Sequence, residues 1–539
     1  MARRIFFLSS AVLVPAATYY AYTWPGGVPW AVFVWFLFLV GVHDVVQRKH
    51  TILRNFPVIG HGRYLLEMVR PEMHQYFIES DTNGEPFPRE LRSLAYQRAK
   101  QVRDTLPFGT RQEVHDPGYE WVEHTLAPPP DVEEHPRVRV GGPDCSKPYE
   151  ASILNISAMS YGALSSAAIL ALNGAAKDGG FAHNTGEGGI SRYHLEPGGD
   201  LVWQIGTGYF GCRTPDGRFD PDKFAEKAAL EQVKMIEIKL SQGAKPAHGG
   251  ILPASKVTPE IAAIRGVEVG KTVYSPPRHT AFEGPKGLLE FVARLRELSG
   301  GKPVGFKLCV GRPIEFMAIC KAMIETRILP DFVTVDGGEG GTGAAPLEFA
   351  NWVGAPLYEG LPFVHDMLTG IGVREHVKVF ASGRAVTGFH MAIRLALGAD
   401  VINSARGMMF ALGCIQALRC NANTCPTGIA TQDPALVAGL HVGDKRARVA
   451  RYHANTVRAL VEIAAAAGCR HPIELRRSMF RRRISRTEVR TLEQIYPSIE
   501  PGDLLEEPFP ERYDADWRVA TAEAFVPPCT DEGRATLLA

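Results

Sequence analysis

The sequence predicts an α/β fold built on a parallel sheet and preceded by a pair of membrane-spanning helices. Beyond residue 150, short apolar runs rich in β-branched residues alternate with helical patterns, as in successive βα units. The first 48 residues are instead dominated by two uncharged apolar runs. The alternation is shared by a (β/α)8 TIM barrel and a doubly wound open sheet, so the pattern by itself leaves that choice open.

Residues 1–48 predict a membrane-anchoring transmembrane hairpin of two helices. Ile5–Trp24 carries no charge over twenty residues, about the length that crosses a hydrocarbon core. After a Pro-Gly-Gly turn, a second uncharged run covers Val28–His43. A signal peptide and a buried helical hairpin of a soluble domain are the alternatives. Basic flanks favour a cell-membrane location with both termini, and the catalytic domain, facing the cytoplasm; they are Arg3, Arg4, Arg48 and Lys49.

Two further segments carry no recognisable chemistry. Residues 49–150 are polar with proline clusters and predict a connecting and covering segment, with one amphipathic helix over Leu91–Leu106. Residues 151–480 hold the βα units, and residues 481–539 form a C-terminal extension. The near-balance of 59 Lys+Arg against 58 Asp+Glu gives no indication of a nucleic-acid partner.

Within the βα region, several strands end directly in polar or glycine-rich sequence, where a barrel places its reacting groups. The predicted strands are Ala151–Ile156, Met235–Lys239, Val304–Val310, Phe332–Val335, Val377–Ala381 and Val401–Ser404. The predicted helices are Pro221–Val233, Lys286–Leu298, Ile314–Thr326 and Phe389–Leu397. Gly206–Gly211 spells the dinucleotide motif G-x-G-x-x-G, but a turn sequence follows in place of a helix start, so we predict no nicotinamide site.

Three cysteines, Cys414, Cys420 and Cys425, lie within twelve residues at a C-x5-C-x4-C spacing. Zinc sites usually have four ligands, so this spacing suits zinc poorly. Three clustered thiolates suit an iron–sulfur cluster, whereas free cysteines often pack as small apolar residues; spacing alone leaves both open. The other cysteines are scattered and predict structural thiols in a reducing compartment: Cys145, Cys212, Cys309, Cys320, Cys469 and Cys529.

Six motifs in one order resemble the FMN-binding synthase domain of glutamate synthase. They are SAMSYGALS at 157–165, NTGEGG at 184–189, KLSQGAKPAHGGILPASKV at 239–257, SPPRH at 275–279, GGTGAAP at 340–346 and the run at 379–432. The resemblance covers residues 150–480 and implies a TIM barrel that binds FMN. It also implies that Cys414, Cys420 and Cys425 bind a [3Fe-4S] cluster.

The resemblance assigns the cofactor residues. Lys307 would lie beside the flavin, because a lysine in a barrel strand is costly to bury without an anionic partner; the alternative is a strand-end lysine that reaches solvent. Ser157, Ala158 and Met159 would line the flavin. The phosphate would lie at loops after the late strands. Tight βα turns account for such glycines taken alone, but three such loops at the correct strand ends favour a phosphate site. The predicted phosphate-loop residues are Gly340, Gly341, Ser382, Gly383, Arg384, Arg406 and Gly407.

The resemblance also implies that Lys245 faces substrate and flavin, with Glu187 nearby, as catalytic residues. A turn lysine directed at water is the alternative for Lys245. After this lysine the family has P-G-E-G-G-Q-L-P, and this chain departs from that pattern at His248 and Ile251. A lost carboxylate and a lost amide change the hydrogen-bonding groups of a substrate site, so 2-oxoglutarate itself is placed in doubt.

The function implied is reductive amination of 2-oxoglutarate or a related 2-oxo acid, by hydride transfer from FMN to an imine. Electrons would come from an external donor, such as a ferredoxin or a nicotinamide-oxidising subunit. The alternatives are an amino-compound dehydrogenase and an electron-transfer subunit of a membrane-associated complex.

Overall fold

The structure is a computed structural model that describes residues 2–102 and 105–526. The chain divides into two compact units, Met1–Glu90 and Leu91–Ala539. The boundaries expected at residues 48, 150 and 480 are not tested by this division and stay predictions. Cys529 and the end of the expected C-terminal extension lie outside the described residues.

The first unit is helical. Ala2–Thr23 and Val28–Val46 form a hairpin about the 3-10 turn Pro25–Gly27, and Trp35 Nε1 donates to Thr18 Oγ1 at 3.0 Å across it. Ala2–Thr23 and Pro25–Val46 are long and apolar enough to cross a membrane, with mean hydropathies of 1.4 and 1.8. Signal sequences share those properties, so the membrane location stays a prediction. The remaining helical segments are Thr51–Asn55, His61–Met73 and the π-turn His74–Ile78.

The second unit contains a closed barrel of eight parallel strands in which each strand pairs with the next along the chain. Strand β8 closes the barrel on β1 by pairing Asn403 with Asn155. This confirms the TIM barrel and rules out the open sheet. The strands are β1 (Leu154–Ile156), β2 (His183–Asn184), β3 (Leu201–Ile205), β4 (Val233–Lys239), β5 (Val304–Leu308), β6 (Phe332–Asp336), β7 (Lys378–Ser382) and β8 (Val401–Ser404).

Helices surround the barrel, and their ends follow local sequence signals. Ser165 caps the helix Ser166–Gly179 by accepting from Ala168 N, and Gly180 ends it at a φ of +61°. The helix Arg89–Lys100 begins two residues before this unit. The other α-helices are Ser166–Gly179, Arg192–Leu195, Pro221–Ala228, Pro259–Arg265, Gly284–Leu298, Pro313–Thr326, Leu347–Trp352, Leu357–Gly370, Gly388–Ala396, Arg406–Leu412, Pro434–Val437, Val442–Ala466, Leu492–Ile495 and Glu511–Val519. Short 3-10 helices cover Ala254–Lys256, Pro472–Glu474 and Arg477–Met479.

A β-hairpin closes the N-terminal end of the barrel. Its strands, Arg137–Val140 and Tyr149–Ser152, contribute Val138 and Val140 to an apolar cluster with residues from the beginnings of the barrel strands, such as Phe332 and Phe380. Because that end is plugged by side chains, the C-terminal ends of the strands are left for chemistry. Two small antiparallel sheets complete the unit. In the first, Phe480–Arg483 pairs with Glu120–Val122 on one side and with Val489–Thr491 on the other. In the second, Ile251–Leu252 pairs with Val273–Tyr274.

The structure corrects several expected elements. The helix expected to reach Leu106 ends at Lys100, where Gln101 takes a left-handed φ of +56°. The helix expected over Pro221–Val233 ends at Ala228, because β4 begins at Val233. The strand expected over Ala151–Ile156 is divided between the plugging hairpin and β1. Strands β2 and β3 were not expected.

Candidate active site at the C-terminal end of the barrel

The first strand end meets the last two. Ser157 Oγ, directly after β1, lies 3.2 Å from Ser382 Oγ at the end of β7, and Ser157 N donates to Ser404 O of β8 at 3.1 Å. Met159 N donates to Asn184 O of β2 at 3.2 Å, and Ala158 between them is half-buried. Barrel closure therefore brings Ser157, Met159 and Ser382 to one mouth.

Lys307 on β5 is buried and paired with a carboxylate. Its Nζ lies 3.2 Å from Asp336 Oδ2 at the end of β6, and that oxygen also accepts from Gly243 N at 2.8 Å. Burial lowers the pKa of Lys307, but Asp336 and Glu237 raise it by more, so the net pKa is raised. Lys307 is therefore a fixed ammonium inside the mouth, and the solvent-reaching alternative is wrong.

A polar layer lies beneath this pair inside the barrel. Glu237 of β4 accepts from Asn184 Nδ2 at 2.8 Å, from Gln204 Nε2 at 2.6 Å and from Thr334 Oγ1 at 2.7 Å. Each donor comes from a different strand, so one buried carboxylate fixes the relative positions of β2, β3, β4 and β6. This layer is a rigid base for the groups above it.

Glu187, beyond β2, lies among cations. Lys239 Nζ at the end of β4 is 3.1 Å from Glu187 Oε1, and Ser275 Oγ donates to Glu187 Oε2 at 3.3 Å. Burial raises the pKa of Glu187, but Lys239, Arg265 and Lys245 lower it by more, so the carboxyl has a lowered pKa. Glu187 is thus held as a carboxylate.

Lys245 lies in the loop after β4 and is 3% exposed. Its Nζ donates to the carbonyl oxygen of Ala344 at 2.9 Å. Burial, with the nearby Lys239 ammonium, lowers the pKa of Lys245 to about 8. Lys245 is therefore a buried amine and not a turn lysine directed at water, and near neutral pH it can both carry and release a proton.

Two arginines follow the last two strands. Burial, with the neighbouring Arg384 guanidinium, lowers the pKa of Arg406 to about 10, so the loops after β7 and β8 bring two like charges together. Gly341 allows a close approach here, because a Cβ at this position would lie 2.5 Å from Arg406 Nη1. Asp336 and Glu339 act in the opposite direction on the pKa of Arg406. Two guanidinium groups at these two loops fit an anionic group such as a phosphate.

The glycines of these loops differ in what they do. Gly340 N donates to Gly337 O at 2.8 Å within the turn. Gly383 O accepts from Arg394 Nη2 at 2.9 Å. At Gly407, a Cβ would collide with the Tyr452 hydroxyl and lie 2.6 Å from Ser404 Oγ. Packing against Tyr452 therefore accounts for glycine at 407 without a ligand.

The cysteine loop carries three free thiols. Burial, together with the nearby Cys420 and Cys425, raises the pKa of Cys414 to about 11, so the three sulfurs interact. Burial also raises the pKa of Cys425, but donors at Thr427, Ala430 and Ile429 lower it by more. Among the described residues, no three His, Cys, Asp or Glu side chains could together hold one metal ion. Three clustered thiolates without a fourth ligand are a donor set that suits an iron–sulfur cluster, and the cluster stays a prediction.

This loop borders the rest of the site. A Cβ at Gly343 would lie 3.5 Å from Cys420 Cβ, and the next residue, Ala344, accepts from Lys245. On its other side, the buried Lys256 Nζ donates to Ala430 O at 2.7 Å and to Ala163 O at 3.0 Å. The glycine-rich loop after β6, residues 337–344, therefore lies beside both Cys420 and Lys245.

The two departures from the family pattern, His248 and Ile251, make other contacts than ion pairs. The His248 ring meets Phe349 edge-on with ring centroids 5.3 Å apart, and its Nδ1 lies 3.0 Å from Gly249 O. Ile251 pairs with Tyr274 in a two-stranded sheet. The structure places neither side chain in the ion-pair network.

Several site residues were not singled out from the sequence. Lys239, Asp336 and Arg265 complete the charge network, and His279 Nε2 lies 2.9 Å from Lys239 O. Lys239 and His279 stand within motifs that carry the resemblance, and Asp336 directly follows the predicted strand Phe332–Val335, at the start of the glycine-rich loop. These positions are the sequence signal by which the three residues could have been identified as part of the site.

Comparison with known proteins gives one family. The family described as "Conserved region in glutamate synthase" matches residues 143–470. The glutamate synthase large subunit-like protein YerD of Bacillus subtilis is 39% identical over 487 residues, which cover 83% of this chain and 91% of YerD. The archaeal glutamate synthase [NADPH] of Methanocaldococcus jannaschii is 34% identical over 314 residues, 58% of each chain.

The match is partial for other relatives. The glutamate synthase [NADPH] large chain of Azospirillum brasilense is 33% identical over 52% of this chain, which spans only 18% of that relative. A crystal structure of mandelate oxidase covers 75% of this chain at 15% identity, with a TM-score of 0.41. A likeness that weak carries no functional argument.

Proposed function

Because the chain belongs to the glutamate synthase family, we propose that it is an FMN-dependent oxidoreductase that reductively aminates a 2-oxo acid. The observation that carries the proposal is the charge at the barrel mouth. There, the carboxylate of Glu187 interacts with three buried cations, Lys239, Lys245 and Arg265. An excess of buried positive charge is costly unless an anion binds beside it. A 2-oxo acid brings that anion as its carboxylate.

Lys245 is the group that substrate would engage. Lys245 Nζ donates to a neutral carbonyl oxygen, whereas Lys239 is already paired with Glu187. A substrate carboxylate beside Lys245 Nζ would stabilise the ammonium form. The same nitrogen could then hold the proton that an imine nitrogen takes up as its carbon is reduced.

The residues at the mouth fit FMN. When bound, FMN supplies the hydride that the imine carbon accepts. Arg384 and Arg406 would hold its phosphate, and Lys307, fixed by Asp336, would stand beside the ring where negative charge develops on reduction. Ser157, Ala158 and Met159 would line the ring from the end of β1.

Cys414, Cys420 and Cys425 would hold a [3Fe-4S] cluster, which supplies single electrons when bound. The closeness of Cys420 to Gly343 supports a cluster next to the glycine-rich loop after β6. A separate donor, of the ferredoxin type or a nicotinamide-oxidising subunit, would deliver the electrons. We further propose that the N-terminal hairpin tethers the enzyme to the cell membrane with the barrel on the cytoplasmic side.

Single turnover of the purified protein tests the proposal. The protein would be isolated without oxygen in detergent, reduced with dithionite, and mixed with 2-oxoglutarate and ¹⁵N-ammonium. We expect oxidised-flavin absorbance to return and ¹⁵N to appear in glutamate, with both signals lost in Lys245→Met. If a different 2-oxo acid with ammonium reoxidises the flavin and 2-oxoglutarate does not, the reductive amination is retained and the substrate is that other acid. Reoxidation only by an electron carrier would overturn the amination and favour the electron-transfer subunit.

A further inference from the structure

The helix His61–Met73, the second helix after the hairpin, contains no buried residue. Each residue from 61 to 74 is exposed, although the segment is rich in large apolar side chains. Leu66 is 69% exposed and Phe77, in the following π-turn, is 76% exposed. A contiguous apolar surface of this kind marks an interaction site.

The apolar residues share one side of this helix. At 100° per residue, its large apolar side chains span an arc of about 200°. The opposite arc carries Arg63, Glu67 and Arg70, of which the first two form an i,i+4 ion pair at 3.5 Å. Glu72, in the last turn, is the one carboxylate within the apolar arc. The side chains of the apolar arc are Tyr64, Leu65, Leu66, Met68, Val69 and Met73.

The beginning of this helix is fixed to the end of the second apolar helix. Asp44, two residues before Val46, is fully buried, and its carboxylate oxygens lie 2.9 and 3.0 Å from His61 Nε2. Val58 N also donates to Asp44 at 2.9 Å. Val58 holds a φ of +66° to do so, a strained conformation for a β-branched residue that persists only where its surroundings impose it.

We propose that residues 61–78 form an interfacial helix that lies in the headgroup layer of an anionic phospholipid membrane, on the side where the hairpin ends. This rests on the proposed membrane tether. The contact of His61 with Asp44 puts the beginning of the helix at the depth where the spanning helix leaves the hydrocarbon. From there a broad apolar arc is stable along the surface and not in water.

Charge complementarity supports an anionic lipid surface as the occupant. Residues 47–78 contain five lysines and arginines against two glutamates, and each basic residue near an anionic surface adds to the attraction. The basic residues are Arg48, Lys49, Arg54, Arg63 and Arg70. Arg63 and Arg70 point away from the apolar arc, as expected of a helix lying flat.

Lipid photolabelling tests the placement. The full chain would be reconstituted in vesicles of phosphatidylcholine and phosphatidylglycerol that carry a diazirine-bearing phosphatidylcholine, irradiated, and mapped by mass spectrometry. We expect label within residues 64–78 as well as in the hairpin. The double variant Leu65→Glu/Met68→Glu should carry severalfold less lipid label in residues 64–78. The control Glu67→Gln, on the polar face, should carry as much label as the wild type.

The outcomes separate this inference from the tether. Label in the hairpin but none in residues 64–78 would overturn the interfacial helix alone and show that protein covers it. No label in either segment would overturn the tether as well. The amination proposal is measured independently, by turnover in detergent.

Discussion

Replacing Lys245 with methionine should stabilise the substrate-free protein while it strongly reduces turnover. The pKa of the amine falls from 10.5 to about 8 in the folded chain. At about 1.36 kcal/mol per pKa unit, this is a destabilisation of at most roughly 3.4 kcal/mol. Methionine keeps much of the volume and removes the buried charge. Losing a desolvated partner for the substrate carboxylate should lower kcat/KM by roughly 100-fold or more.

The pH dependence of the stability difference shows whether the buried charge of Lys245 causes it. Because the folded pKa lies below the unfolded one, the folded state binds fewer protons. The destabilisation is therefore complete below about pH 8 and disappears as the pH rises toward 10.5. Thermal unfolding at pH 7 should show Lys245→Met melting above the wild type, with the difference shrinking at pH 9.5. The exposed Lys177→Met is the matched control. A Lys245→Met protein that is equally destabilised at both pH values would refute this reasoning.

Three other substitutions test separate parts of the site. Asp336→Asn leaves Lys307 buried without its carboxylate and should lower the free energy of unfolding in urea by about 3–5 kcal/mol. The double variant Asp336→Asn/Lys307→Met should recover much of this free energy. A double variant as unstable as Asp336→Asn would contradict the ion pair. Cys420→Ser should lose iron and sulfide by chemical analysis while it keeps flavin absorbance, whereas the control Cys469→Ser keeps both; unchanged iron in Cys420→Ser would exclude Cys420 as a ligand. Gly407→Ala should lower thermal stability by about 1–3 kcal/mol through collision with the Tyr452 hydroxyl, and Tyr452→Phe should relieve part of it; an undisturbed Gly407→Ala would contradict the packing explanation.

The fold was predictable where local pattern and motif agreed. Strands β4 to β8 are long enough to show apolar runs that end in polar sequence, and the motif order distinguished a barrel from an open sheet. Strand β2 has two residues, too few for any periodicity. Strand β3, Leu201–Ile205, ends directly in the G-x-G-x-x-G stretch; a turn follows that stretch, and the next helix begins only at Pro221.

The partners of the charged residues could not be predicted. Lys307 pairs with Asp336 and Glu187 pairs with Lys239 because neighbouring strand ends meet in space, which residue order along one strand does not encode. The like-charge contact of Arg384 and Arg406 has the same origin. At Gly407 a ligand-binding glycine and a packing glycine look alike in sequence, and only the position of Tyr452 distinguishes them.

The cofactor content of the protein tests the central claim most directly. Protein purified in detergent without oxygen would be denatured with acid, and the released flavin identified and quantified by mass spectrometry. The charges at the barrel mouth predict FMN equimolar with the chain, and a reduced amount in Arg384→Ala/Arg406→Ala. A folded, colourless wild-type protein that takes up no added FMN would contradict the assignment of the mouth as a flavin site.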